Sequence, residues 1–162
     1  MTDAWPESTE GNGTSWHAAI TMPGDAGAPR AARRLVATLL IAWTAGEQGD
    51  QVERAELIAS ELMNFAVGMQ PDGELELQIN LDRDELCIVL VDHATGPDQP
   101  GWPEVAPWAH PALFLVDHLA SDWGLDHHGR RARLWARIDI DDRPSGDGWT
   151  SEPQTDSGEC GT

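Results

Sequence analysis

The stretch Glu74-Leu75-Glu76-Leu77-Gln78-Ile79-Asn80-Leu81-Asp82-Arg83-Asp84-Glu85-Leu86-Cys87-Ile88-Val89-Leu90-Val91 decides the fold. Its first half alternates: Leu75, Leu77, Ile79 and Leu81 fall on one side of an extended chain, Glu76, Gln78 and Asn80 on the other. Side chains of a strand point to opposite faces in turn, so this strand has one face on a core and one in water, as antiparallel sheets allow. Asp82-Arg83-Asp84 makes a turn. Residues 86–91 are then a continuous apolar run, the pattern of a more buried strand.

Two helical patterns precede this hairpin. From Pro29, Leu35, Val36, Leu39, Leu40 and Trp43 recur on one stripe, and Gly46 and Gly49 are expected to end the helix. A second helix is expected over residues 51–67, with Ile58, Leu62, Phe65 and Met69 at helical spacing and Gly68 and Pro71 as its stop. Before both, residues 16–22 read as a short strand closed by Pro23-Gly24. After the hairpin, residues 92–110 hold four Pro, two Gly, Trp102 and Trp108, and read as a long loop of the kind that is functional or mobile. Pro111 suits the first turn of a helix expected to reach Asp122, with Leu113, Val116, Leu119 and Ala120 inward. Residues 133–140 alternate as a last strand, with Leu134, Ala136, Ile138 and Ile140 inward.

The order strand, helix, helix, hairpin, loop, helix, strand predicts an α/β (α+β) two-layer sandwich: a mixed, mainly antiparallel sheet with helices on one face. The domain is expected over residues 16–140. Residues 1–15 and the acidic tail 141–162 are polar and aperiodic, and are expected to lack fixed structure.

Charge narrows the partners. The formal net charge is −18, all ten basic residues are Arg, and Lys is absent. Nucleic acid or an anionic membrane would be repelled over most of such a surface, whereas basic protein partners would be attracted. Any phosphate contact must come from Arg or from backbone N–H groups. No apolar run approaches the roughly 18 residues of a membrane span. Met1 to Gly13 is acidic and polar, unlike a secretory signal, so a cytoplasmic protein is expected. Cys87 and Cys160 have neither disulfide nor zinc spacing. His127-His128 beside Asp126 has no further ligand at a familiar spacing, so no metal site is expected there.

Several stretches, in order, resemble the small bacterial GHKL (histidine-kinase-like) ATPase domains of anti-sigma-factor serine/threonine kinases. Ala31-Ala32-Arg33-Arg34-Leu35 through Trp43 resembles their first helix, and Ser60-Glu61-Leu62 with Ala66-Val67 their N-box helix. Val91-Asp92 followed by Gly96 resembles the adenine-binding turn. Residues 113–124, LFLVDHLASDWG, resemble the helix after the ATP lid, and residues 129–136, ending Leu134-Trp135-Ala136, the final strand. The resemblance spans residues 16–140 and implies a Bergerat-type fold that binds ATP and Mg²⁺.

Carried over by position, the resemblance makes Glu61 the general base and Asp92 the acceptor for the adenine amino group, with Gly96 allowing close approach of the base. The metal-binding Asn falls on Phe65, whose ring cannot coordinate a hard cation. Asn64 is adjacent but about 100° away around the helix. Ala94 replaces a glycine of the adenine turn. His110-Pro111-Ala112-Leu113 stands where the family has Gly-x-Gly-Leu, so both lid glycines are lost and Pro111 has no N–H to donate. His110 offers one donor in their place. Arg130, Arg131 and Arg133 form a basic cluster that either reaches a phosphate or sits on a solvated edge strand.

Two functions follow from the resemblance. One is a regulatory, protein-binding module with an impaired ATP site, for which ATP or ADP is at most a weak ligand and Mg²⁺ is doubtful. The other is an active ATP-dependent serine/threonine kinase. Either way the family implies a sigma factor or an anti-sigma antagonist as partner, and commonly a homodimer. Trp102 and Trp108 either anchor that partner or fold back into an empty nucleotide pocket.

Overall fold

The computed structural model describes residues 15–44, 49–93, 102, 109–128 and 131–140. The described residues form an α+β two-layer sandwich of five strands and three helices: β1 (Ser15–Pro23), α1 (Ala28–Thr44), α2 (Gly49–Met69), β2 (Glu74–Asp82), β3 (Glu85–Asp92), α3 (Pro111–Leu119), β4 (Asp122–His128) and β5 (Arg131–Asp139). The sheet order is β1-β2-β3-β5-β4. Every pairing among the described residues is antiparallel, so the mixed, mainly antiparallel sheet expected is antiparallel throughout them.

The hairpin forms as its alternation dictates. Asp82 pairs with Glu85 across a two-residue turn, in which Arg83 takes a left-handed φ of 51°. Leu75, Leu77, Ile79 and Leu81 of β2 face the core with Leu86, Ile88 and Leu90 of β3. Ala132, Leu134, Ala136 and Ile138 of β5 extend the same apolar face.

The helices cover that face. Both α1 and α3 pack on α2, while α1 also contacts β1 and α3 also contacts β4. The buried line of α1 is Ala28, Ala32, Val36 and Leu40. Leu35, Leu39 and Trp43 are half-buried on its flank, so the expected stripe is right in direction but broader than the seam itself. On α2, Ile58, Leu62 and Phe65 are completely buried.

Several boundaries differ from expectation. Gly49 opens α2 rather than closing α1, and Gly68 lies within α2, where a Cβ would meet nothing. The turn after α2 uses Asp72 at φ 63° and clasps Gly24: the Gly24 N–H donates to the Gly73 carbonyl at 2.7 Å, and the Asp72 N–H donates to the Gly24 carbonyl at 3.2 Å. A Cβ on Gly24 would lie 3.1 Å from the Gly73 carbonyl oxygen and from the Leu75 side chain, a tight fit that favours glycine at this crossing.

The largest correction concerns residues 120–128. Helix α3 ends at Leu119 because Ala120 is extended (φ −82°, ψ 150°), and the Ser121 N–H then donates to the Arg137 carbonyl. The chain enters β4, an edge strand that the alternation of apolar residues did not reveal. Its inward residues are Trp123 and Leu125, and the Trp123 indole N–H is held by Asp117 of α3 at 2.9 Å. On the outer face the Trp135 ring lies over Gly124, and a Cβ there would be 2.7 Å from the ring. With β4 in place, β5 is an inner strand, so Arg131 and Arg133 do not lie on an edge. His127 and His128 lie in β4, not in a turn.

Ser15 belongs to β1, so the expected unstructured segment 1–15 is one residue too long. The rest of that segment and the tail 141–162 lie outside the described residues. No described helix is long and apolar enough to cross a membrane.

Candidate functional site

The site residues named from the sequence come from α2, the end of β3 and the start of α3. Glu61 and Asn64 are one turn apart on α2, and the Asn64 amide reaches the Glu61 carboxylate only at a long 3.5 Å. Both border an open groove of about 640 Å³ between α1 and α2, whose other wall carries Arg30, Arg33 and Arg34. Glu61 is half-buried and Asn64 exposed. Asn64 is thus accessible, but it faces this groove rather than the interior that Phe65 occupies.

Phe65 is at the centre of a different cluster. Its ring is fully buried and meets Trp102 edge-on at 5.9 Å and His110 edge-on at 5.2 Å. Trp102 is itself 2% exposed. Edge-to-face contacts at these distances are favourable beyond the area they bury, because ring edges and faces carry opposite partial charge. Trp102 therefore packs inward against Phe65. Its indole N–H is buried without a hydrogen-bond partner among the described residues. Trp108, Ala94, Gly96 and Arg130 lie outside the described residues.

His110 is the N-cap of α3, with Pro111 in the first turn. Its Nδ1 accepts from the Ala112 N–H at 3.2 Å. Helix N-termini hold anions through unpaired first-turn N–H groups. Here Pro111 has none and the Ala112 N–H is already bonded to the His110 ring. His110 was expected to offer a donor; the nitrogen seen in use is an acceptor that caps the helix.

Asp92 is the last residue of β3, completely buried, and paired in register with Leu75. Strand alternation gives it the face of Leu86, Ile88 and Leu90, so its carboxylate points toward the helix layer. A buried carboxylate is costly unless engaged, and Asp92 does have an interaction partner. That placement is compatible with a base-recognising acceptor and equally with a structural turn residue.

Sequence reasoning missed a polar pair beside Asp92. The His93 ring lies 2.6 Å from the Glu76 carboxylate, across the β2–β3 pairing. Hydrogen bonds from Gln78, then from His93, hold the Glu76 carboxyl below its ordinary range. The sequence signal was the outward position of Glu76 on β2 facing a His at the end of β3. Cys87, on the same outer face, has its thiol pushed up to about 11 by burial, so it is not a ready nucleophile. Among the described residues no group of three or more His, Cys, Asp or Glu could hold a metal ion.

The described residues thus form two separate places: an open Arg/Glu groove at Glu61 and Asn64, and an aromatic cluster of Phe65, Trp102 and His110. No family model matches this chain, and no curated protein matches it by sequence.

Proposed function

We propose that this chain is a cytoplasmic GHKL-type domain of the anti-sigma kind that works by binding a protein partner, with a nucleotide cleft filled by its own aromatic side chains. The observation that carries this reading is the Phe65–Trp102–His110 cluster. In the resemblance, Phe65 takes the place of the metal-binding Asn and His110 begins the phosphate-holding turn. Three packed rings at those positions offer neither a hard-cation ligand nor a cradle of free N–H groups. By the same resemblance the partner is a sigma factor or an anti-sigma antagonist.

On this reading ATP or ADP is held weakly, through Asp92 at the base end, and Mg²⁺ adds nothing. Glu61 then has no γ-phosphate to serve as a base for. The eight Trp residues make a direct test: intrinsic fluorescence titrated with ATP, with and without Mg²⁺. The expected result is a weak response, independent of Mg²⁺ and lost in Asp92→Ala. Tight, Mg²⁺-dependent binding with phosphate transfer to a serine or threonine would instead establish the active kinase.

A further inference from the structure

We propose that the open groove between α1 and α2 docks a helix of a different protein, one with acidic residues along one side and basic residues along the other. This site rests on the reading that the chain acts by protein contacts, not on how the cleft beside Phe65 is filled.

The two walls of the groove carry opposite charge. Arg30, Arg33 and Arg34 stand on α1, and Glu56 and Glu61 face them from α2. Three of the ten Arg of a chain with net charge −18 are thus gathered within five residues. Among the described residues, no ion pair joins these arginines to either glutamate or to any other carboxylate.

The arginines do not help α1 itself. Residues three and four apart on a helix are neighbours, so Arg33 and Arg34 both repel Arg30. All three lie in the N-terminal half of α1, whose first turn holds no acidic residue, and cations at that end oppose the helix dipole. An anionic partner relieves both effects.

The opposite wall decides what kind of anion this is. Glu56 and Glu61 are half-buried, and they repel a plain polyanion laid along the arginines. A ligand that suits both walls carries both signs. Spacing then sets its form. At 1.5 Å per residue, Arg30 and Arg34 are about 6 Å apart along α1, and Glu56 and Glu61 about 7.5 Å apart along α2. A helix with acidic residues at i and i+4 on one side, and basic residues at i and i+4 on the other, repeats at about 6 Å and meets both rows. Leu57, half-buried in the same groove, gives an apolar residue of that helix a place to seat.

A second copy of this chain does not supply such a helix from its described residues. Helix α1 has no acidic residue, α3 has no Arg or Lys, and α2 has only Arg54.

The test is fluorescence anisotropy on the full chain at physiological ionic strength, with circular dichroism to confirm that each variant is folded. Three labelled, Ala-based synthetic helices of equal length are the probes. The first carries a Glu row and a Lys row on either side of a Leu. The second has the same composition with Glu and Lys alternating within each row, and the third has Glu in both rows. The wild type is expected to bind the first at least about tenfold more tightly than the other two. Arg30→Glu and Glu56→Lys should each weaken that binding about tenfold or more. Arg83→Glu makes the same charge change at the β2–β3 turn, away from the groove, and should leave it within about twofold. A synthetic peptide of residues 141–162, the acidic tail of the chain, should not displace the first helix. The proposal is overturned by equal binding of the three helices or by no binding of the first up to about 1 mM. It is equally overturned by displacement with the tail peptide, by unchanged affinity in Arg30→Glu or Glu56→Lys, or by as large a loss in Arg83→Glu. None of these readouts involves ATP, so the groove and the filled cleft stand or fall separately.

Discussion

Replacing Trp102 with Ala removes a ring that is 2% exposed and packed edge-on to Phe65 at 5.9 Å. A buried Trp removes about 200 Å² of surface from water, worth ~5 kcal/mol at about 25 cal/mol per Å². The edge-to-face contact adds about 1 kcal/mol. Against this, the indole N–H is buried unpartnered among the described residues, and deleting it recovers roughly 1–3 kcal/mol. The net expectation is a loss of about 3–5 kcal/mol, the range seen for large aromatic to Ala changes. Urea unfolding followed by circular dichroism reads it as a lower midpoint at unchanged slope. Trp102→Phe keeps the ring edge and removes the orphan donor, so it should cost under about 1 kcal/mol. If Trp102→Ala costs less than about 0.5 kcal/mol, Trp102 does not plug the cleft and the reasoning fails.

Phe65→Asn puts a polar amide into a fully buried site beside Trp102 and His110, and chemical denaturation should show a loss of about 3–5 kcal/mol. Its ATP affinity, followed by fluorescence, should gain Mg²⁺ dependence only if the rings now part. Gly124→Ala drives a Cβ to within 2.7 Å of the Trp135 ring, which is fixed by Asp126 at 3.0 Å and by Arg137 over its face. Thermal melting should show a loss of about 1–3 kcal/mol from overpacking. Glu76 contributes through pH: its folded-state pKa is lowered by Gln78 and His93, so its stabilisation is present above the ordinary carboxylate pKa and fades as pH falls through the folded value. The unfolding midpoint of Glu76→Gln should therefore change less than the wild type's on acidification below that range.

Much of the fold was written in local patterns. The alternation in β2 and β5 carries one face each and burial followed it residue by residue, while on α2 Ile58, Leu62 and Phe65 are buried and Met69 only partly. Strand β4 was hidden because Asp122-Trp123-Gly124-Leu125-Asp126 has only two apolar residues facing in. Its Gly124, a poor strand former by itself, is required by the Trp135 ring from the neighbouring strand, a contact that no local pattern records. The candidate site was legible only in part for the same reason. That Phe65 is core could be read from α2 alone, but its contacts with Trp102 and His110 join residues 37 and 45 positions away. Likewise, the use of the His110 ring as a cap depends on the turn geometry before Pro111.

Thermal unfolding of the wild-type chain with and without Mg·ATP tests the filled-cleft account most directly. With a Kd no tighter than about 1 mM, ATP at that same concentration stabilises by at most about 0.4 kcal/mol, a shift of roughly 2 °C or less. A larger rise that requires Mg²⁺, approaching the ~2.7 kcal/mol of a ligand at 100 times its Kd, would contradict it.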